Sequence, residues 1–375
     1  MTTDTDQINQ EEVRTDDARS ALRVCGATDI GLEREENQDT FVIADLSSGK
    51  VSCPCVEVGL SLPGNGYLLL VCDGMGGAAA GEVAARIAAG SIRQELVDSG
   101  DEVSAHPSEA LGDAVDVANR AILADARTQP QRHGMGTTCT AAIVLPGSLT
   151  VAQVGDSRAY LLRDGQLLPL TKDQSLAAQL LDQGALTPDQ MSSFSRRHVL
   201  LQALGTRSAI QPVISQHRLV AGDRVLLCSD GLHGSISETD IRASLRDKGD
   251  LTSITKTLVD RALAAGGEDN VTVVVAEYGD PVERGLVDTS SSSKPVHGFH
   301  DLGSPVFSKT YPLALCSNGK PWMNPPRRGR RRAVGTNATP GHSWRTCDSL
   351  CHGITNALTS TYSVLLRPAL VCPFE

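Results

Sequence analysis

The chain has 375 residues, 40% of them hydrophobic, which is enough to fill the core of one large domain or two ordinary ones. Its formal net charge of -10 is uneven, because residues 281–375 carry eleven Lys and Arg against five Asp and Glu, which leaves -16 for the first 280 residues. An acidic body argues against a nucleic-acid-binding core, and the lack of any run of eighteen apolar residues predicts no membrane span.

The two ends of the chain differ from its middle. Residues 1–20 are charged and lack periodicity, so we expect a disordered leader. This opening does not resemble a signal peptide, which favours reduced thiols for the ten cysteines and a cytoplasmic location. Residues 280–375 are rich in Ser, Pro, Gly and Arg, and we expect a basic, disordered tail. Its arginine-rich run at 327–332 is typical of an arm that docks acidic partners, or of a nonfunctional extension.

Between these ends, residues 21–279 contain short branched or Leu-rich segments separated by turn residues, interspersed with amphipathic stretches. In chain order we first expect strands at Thr40–Ala44 and Tyr67–Cys72, and then helices at Ala79–Ser99 and Glu109–Arg127. Three strands follow at Thr138–Leu145, Thr150–Val154 and Ala159–Arg163, and then a helix at Ser175–Gln183 and a short helix beginning at Thr187-Pro188. The last elements are a strand at Arg224–Cys228, a helix at Ser253–Ala265 and a strand at Val271–Glu277. Strands and helices that are grouped, rather than strictly alternating, favour an α+β layered domain.

Four aspartates fall at the tips of predicted strands. Asp73, Asp156 and Asp230 each follow a hydrophobic segment, and Asp269 lies just before the last one. Strands laid side by side point their ends at a common rim, so these carboxylates can converge although 157 positions separate Asp73 from Asp230. Converging carboxylates repel one another and lose hydration, so they need a cation to stay ionised, and oxygen ligands suit Mg²⁺ or Mn²⁺. The alternative is that each Asp-Gly is an ordinary turn.

Two further features suit an anion beside such a cation. The glycines within Asp73–Gly77 let the backbone approach a metal or a phosphate closely, and the following helix presents its positive N-terminal end. Arg34 is the candidate for holding a phosphate, because a guanidinium donates two parallel hydrogen bonds to its oxygens. A solvated charged loop around Arg34 is the alternative.

Eight motifs in register resemble those of the metal-dependent protein phosphatases of type 2C, the PPM family, and most closely its bacterial members. They span about residues 22–278 and are Arg34–Asp39, Val71–Gly77, Gly136–Thr138, Val154–Tyr160, Leu170–Asp173, Ala203–Gly205, Cys228–Leu232 and Glu268–Thr272. The resemblance implies a four-layer α-β-β-α sandwich, with two antiparallel sheets flanked by helices. It also implies hydrolysis of phosphoserine and phosphothreonine by water activated at a dinuclear Mn²⁺ or Mg²⁺ centre.

The resemblance further assigns metal-binding roles to residues that match the family's motifs. By analogy Asp73 bridges both metals, the Gly74 carbonyl binds one of them, and Asp230 with Asp269 completes the other. Asp39 acts through water bound to the metals. The expected dinuclear centre therefore has four direct ligands, with Asp39 beside them as a residue that acts through bound water.

Other roles implied by the resemblance lie around that centre. In bacterial relatives a third metal is held by the aspartate matching Asp156, with help from the one matching Asp230. Arg34 is expected to hold the substrate phosphate, and the region from Lys172 to about His198 looks like a mobile flap. Some relatives carry a histidine, a proposed general acid, where this chain has Met75, so protonation of the leaving group is unassigned and water on the metal is the default.

We expect phosphoprotein substrates, a cognate serine/threonine kinase and a monomeric enzyme. Two alternatives stay open: a narrow phosphatase for one regulatory phosphoprotein, and a catalytically inactive, phosphatase-like binding module. The joint presence of Asp73, Asp230 and Asp269 argues against the second, because losing one ligand would cripple the site. A cysteine phosphatase is disfavoured because no Cys is followed by a five-residue loop and an Arg.

Overall fold

The structure is a computed structural model that describes residues 21–52, 57–76, 80–191 and 194–279. The predicted leader at 1–20 and the predicted basic tail at 280–375 lie outside these ranges. Among the helices that the structure describes, none combines the length and the apolar character needed to cross a bilayer.

The strands of the described residues form two sheets, in which every neighbouring pair is antiparallel. The first sheet has the spatial order β10 (Gln166–Pro169), β9 (Arg158–Arg163), β12 (Arg224–Cys228), β13 (Val271–Gly279), β1 (Ala21–Asp29) and β4 (Val58–Ser61). The second has the order β11 (Val213–Arg218), β8 (Ser148–Val154), β7 (Cys139–Leu145), β5 (Tyr67–Met75), β2 (Asp39–Asp45) and β3 (Val51–Ser52), with the short β6 (Gly136–Thr137) beside β5.

Helices cover the outer face of each sheet. In chain order the α-helices of the described residues are α1 (Ala80–Asp98), α2 (Glu102–Ala105), α3 (Pro107–Thr128), α4 (Leu176–Asp182), α5 (Pro188–Met191), α6 (Asp230–His233), α7 (Glu238–Leu245) and α8 (Leu251–Ala264). The Ala-rich face of α1 packs with α3 onto the second sheet, while the apolar faces of α7 and α8 pack onto the first. The layers therefore run helix, sheet, sheet, helix, and the predicted four-layer α+β sandwich is confirmed.

Strand β5 shows why the sequence folds into these layers. Its alternate side chains point to opposite faces, so Leu68 and Leu70 pack against the helices while Leu69 and Val71 fill the space between the sheets. All four are fully buried. A strand covered on both faces needs a continuous hydrophobic run, which is the pattern that made this strand predictable.

Most predicted elements begin and end within two residues of the observed ones, but β5 runs three residues further, to Met75. Several elements were missed, namely β1, β3, β4, β6, β10, β11, α2, α6 and α7. Strand β1 mixes Arg, Cys, Gly and Asp, so its pattern is weak, yet it pairs with β13 over its whole length. Helix α7 did carry a start signal, because the Ser237 side chain accepts a hydrogen bond from the Asp240 amide.

We expect Leu69→Ala to lower the free energy of unfolding by about 3 kcal/mol, because it removes buried methyl groups and leaves a cavity between two rigid sheets. Urea unfolding of the full chain, followed by circular dichroism, measures the change. Leu168→Ala is the matched control, since Leu168 is 45% exposed and its loss should cost less than about 0.5 kcal/mol. Equal losses in the two variants would contradict the central place of Leu69 in the core.

Candidate functional site

A cavity of about 750 Å³ lies at an end of the sandwich where both sheets contribute residues. Six of the seven predicted site residues line it: Arg34, Asp73, Gly74, Asp156, Asp230 and Asp269. The seventh, Asp39, is 1% exposed and lies directly opposite Asp73 in the pairing of β2 with β5. The fold thus brings together residues from both ends of the domain.

Each sheet supplies part of this set. Asp230 is the first residue of α6 and lies two residues after the end of β12, and Asp269 lies two residues before β13. Arg34 sits on the connection from β1 to β2, and Asp156 on the connection from β8 to β9. Both connections pass from one sheet to the other, which places their side chains at the junction of the sheets.

Asp73 lies inside β5 rather than beyond its tip, which corrects the predicted end of this strand at Cys72. The strand continues because Gly74 and Met75 pair with β6. The backbone of Asp73 is held by Thr138, whose Oγ1 accepts from the Asp73 amide at 2.9 Å and whose amide donates to the Asp73 carbonyl at 2.8 Å. The carboxylate therefore projects from a fixed strand rather than from a loop.

Two glycines allow the start of α1 to touch this strand. A Cβ atom at Gly74 would lie 2.2 Å from the Gly81 carbonyl oxygen, and one at Gly81 would lie 2.7 Å from backbone atoms of Gly74 and 2.4 Å from Gln38 Oε1. Real Cβ atoms do not approach this closely, so both positions require glycine. Helix α1 consequently begins in backbone contact with the strand that carries Asp73.

Burial and mutual repulsion raise the pKa values of three carboxyl groups in this region. Burial is the largest cause for each of them, and the nearby charge of Asp230 adds to it. The pKa of Asp39 and that of Asp156 are raised to about 7, and the pKa of Asp73 is raised well above its ordinary value. Near neutral pH these groups stay fully ionised only where positive charge is close to them.

A guanidinium and an imidazole lie beside the carboxylates. Arg34 Nη2 donates to Asp269 Oδ2 at 2.7 Å, and more than half of the Arg34 side chain is exposed. His198 Nδ1 lies 3.9 Å from Asp230 Oδ2. Burial opposes ionisation of Asp230, but His198, His233 and Asp73 together outweigh it, so the pKa of Asp230 lies below its ordinary value. From the sequence, His198 was only the expected end of a flap, because a lone histidine in a polar segment carries no signal of this contact.

The donor set suits a hard divalent cation. Within the described residues, no group of three or more His, Cys, Asp and Glu side chains is close enough to hold a metal ion as it stands. The carboxylates therefore share one cavity but are not yet gathered around a single point. Two buried oxygens, Asp39 Oδ1 and Asp230 Oδ1, have no hydrogen-bond partner in the part of the chain that the structure describes. Buried carboxylate oxygens need a partner, and oxygen ligands are those that Mg²⁺ and Mn²⁺ prefer. These residues therefore fit the predicted metal.

Asn270 organises the connection that carries Arg34. Its Oδ1 accepts from the Gln38 amide at 2.8 Å, while its Nδ2 donates to the carbonyls of Ile30 at 2.9 Å and Glu36 at 3.0 Å. The side chain is buried. Asn270 belongs to a matched motif, but the sequence alone did not assign it this function.

Ser229 links the two sheets at the site. Its Oγ donates to Asp39 Oδ2 at 2.7 Å and accepts from the Thr272 amide at 3.0 Å. Asp39 belongs to the second sheet, whereas Ser229 and Thr272 belong to the ends of β12 and β13 in the first. The hydroxyl directly before Asp230 was the available signal, but no role was predicted for Ser229.

Comparisons with known proteins agree with this geometry. A family model described as Protein phosphatase 2C matches residues 58–272. Serine/threonine protein phosphatase PstP of Mycobacterium tuberculosis is 37% identical over 259 residues, which cover 69% of this chain but 45% of PstP, so the chain spans about half the length of that relative. Serine/threonine phosphatase stp of Listeria welshimeri is 34% identical over 214 residues, which cover 57% of this chain and 85% of stp.

A solved structure resembles the described fold. It is the catalytic domain of PstP in complex with two manganese ions, with a TM-score of 0.58 and 34% sequence identity. The match covers 70% of this chain and 100% of that one.

We expect Asn270→Ala to loosen residues 30–38, because it removes all three bonds between this side chain and the connection. At about 1 kcal/mol for each bond, the local opening free energy should fall by about 3 kcal/mol. Hydrogen exchange with mass spectrometry measures this as faster exchange of the amides of residues 30–38. Asn65→Ala, in a turn before β5, is the control and should leave their exchange unchanged. Unchanged exchange in Asn270→Ala would contradict the role given to this side chain.

Proposed function

This chain belongs to the protein phosphatase 2C family, and from that membership we propose that it is a metal-dependent enzyme that hydrolyses phosphoserine and phosphothreonine in proteins. The observation that carries the proposal is the single cavity in which an exposed guanidinium lies among carboxylates from both sheets. Cationic and anionic groups arranged in this way suit a phosphate together with the metal ions that act on it.

The proposed metal ligands are Asp73, the Gly74 carbonyl, Asp230 and Asp269, with Asp39 acting through water. A bound pair of Mn²⁺ or Mg²⁺ ions would supply a nucleophilic water near neutral pH and neutralise charge on the phosphoryl oxygens. The unpartnered Oδ1 atoms of Asp39 and Asp230 support this assignment. A third ion at Asp156 and Asp230 is part of the same proposal.

Arg34 is the proposed phosphate-binding residue. Of its five N–H donors, one is used by Asp269, so the guanidinium is held at the cavity while other donors remain for the substrate. The Asp269 contact and the Asn270 bonds to its loop reduce the freedom that Arg34 would otherwise lose on binding. Met75 lines the same cavity, and its thioether cannot supply a proton to the leaving hydroxyl.

The substrates implied by this activity are phosphoproteins. The proposal includes a cognate serine/threonine kinase that produces them, a monomeric enzyme and a cytoplasmic location. The four cysteines of the described ranges are buried and are not joined in disulfide bonds, which agrees with a reducing compartment: Cys25, Cys72, Cys139 and Cys228.

We expect the full chain to release phosphate from a phosphothreonine peptide in the presence of Mn²⁺ or Mg²⁺ and to stop when a chelator is added. Asp230→Asn should lower kcat roughly a hundredfold or more, because a neutral amide replaces a charged ligand. Asp113→Asn, on the exposed face of α3, is the matched control and should keep the wild-type rate. Equal turnover with and without chelator, or full activity of Asp230→Asn, would refute the proposal.

We expect Arg34→Ala to raise KM for the phosphopeptide about tenfold or more, because it removes a charge-assisted donor pair from the cavity. Arg34→Lys should recover only part of the loss, since an ammonium group cannot make two parallel bonds to phosphate. Steady-state kinetics at saturating Mn²⁺ measures both variants, with Arg120→Ala on the exposed side of α3 as control. If Arg34→Ala keeps the wild-type KM, Arg34 does not hold the phosphate.

A further inference from the structure

The turn that carries Asp156 is bound to the second sheet, because side chains of that sheet donate hydrogen bonds to the carbonyls before and after the aspartate. Gln153 Nε2 donates to the Gly155 carbonyl at 3.3 Å and to the Ser157 carbonyl at 3.1 Å. Thr140 Oγ1 also donates to the Ser157 carbonyl, at 2.8 Å. The residues that flank Asp156 therefore take their position from β7 and β8.

The carbonyl of Asp156 itself has a different partner, because it accepts from His233 Nε2 at 3.0 Å. His233 is the last residue of α6, and Asp230 is the first. This one short helix thus carries a proposed metal ligand at one end and, at the other, the donor that holds the backbone of a second proposed ligand.

Helix α6 is a rigid base for this contact. A Cβ atom at Gly231 would lie 1.9 Å from the Asn270 carbonyl oxygen, so the helix packs directly on the backbone that leads into β13. Its C-terminal turn is closed by the bond from the Gly234 amide to the Asp230 carbonyl, at 2.7 Å. A displacement of Asp156 relative to Asp230 would have to stretch the bond made by His233.

His233, Asp156 and Asp230 also line a common cavity of about 520 Å³. Its lining also contains Arg158 and Asp173, which form a two-bond ion pair with both distances at 2.7 Å. Because this pair already satisfies the Asp173 carboxylate, the carboxylates left to bind a cation here are those of Asp156, Asp230 and Glu268, of which Asp156 and Asp230 are the proposed ligands.

We propose that His233 is a positioning residue for the third cation site at Asp156 and Asp230. Its hydrogen bond fixes the spacing of the two segments that carry the carboxylates, so the site is formed before the ion arrives. Loss of the bond should weaken that site more than the two sites of the dinuclear centre. The inference rests on the proposed function, because it takes the proposed ligands as its premise.

Two variants of the full chain test the inference. His233→Gln keeps an N–H donor at a similar reach, and His233→Leu has a similar volume without a donor. Isothermal titration calorimetry with Mn²⁺ gives the number and the affinity of the sites without relying on turnover. We expect three sites in the wild type, a third site weakened about tenfold or more in His233→Leu, and recovery to within about threefold of wild type in His233→Gln.

Kinetics add a second measurement. In His233→Leu the Mn²⁺ concentration for half-maximal phosphopeptide hydrolysis should rise in parallel with the binding loss, by more than kcat falls at saturating Mn²⁺. Thermal unfolding in EDTA should give the wild-type midpoint for His233→Gln and a midpoint lowered by no more than about 2–4 °C for His233→Leu, because one hydrogen bond contributes about 1 kcal/mol to the fold.

Several results would overturn the inference. They are an unchanged third site in His233→Leu, an equal loss in both variants, a wild type that binds only two ions, or a general weakening of all sites with an unfolding midpoint in EDTA lowered by more than about 4 °C. If the wild type is active and Mn²⁺-dependent but His233→Leu is unaffected, this inference is wrong and the proposed function stands. A wild type without cation-dependent hydrolysis removes the proposed function, and the inference with it.

Discussion

Repulsion among carboxylates at the junction of the two sheets is the constraint on which the rest of this structure depends. Asp39 and Asp73 lie directly opposite each other on adjacent strands, an arrangement that destabilises a sheet when both are charged. Burial adds a second cost, because both groups lose hydration. The surrounding residues offset these costs locally, through the hydroxyl of Ser229, the positive charge of Arg34 and the imidazole of His198.

A fold that carries such a site needs enough stability elsewhere to offset the cost of burying these carboxylates. Three hydrophobic layers provide it: one between the sheets, and one between each sheet and its helices. The carboxylates project from strand ends and short connections at the rim of these layers, where the backbone is already fixed by sheet pairing. Asn270 and Ser229 then tie the first sheet to the second, so the geometry of the cavity depends on how the two sheets pack.

Sequence reasoning recovered the parts of the molecule whose signals are local. Strand β5 is a continuous apolar run, α1 and α3 have a clear helical period, and the aspartates follow or precede such runs. Strand β11 was missed because Val213–Arg218 mixes apolar and polar residues, and only its pairing with β8 makes it a strand. The role of His198 was missed for a similar reason, because its 3.9 Å approach to Asp230 depends on a contact across the fold that no spacing in the sequence encodes.

The close approach of Gly74 and Gly81 restricts how such a chain can diverge. A methyl group at either position would meet backbone atoms, so accepting one requires α1 and the strand beneath it to separate together. A single substitution at either glycine would therefore destabilise the protein. The outward-facing residues of the same helix can be replaced without this penalty. Sequence variation in this region is therefore limited by the two glycines as well as by the neighbouring aspartates.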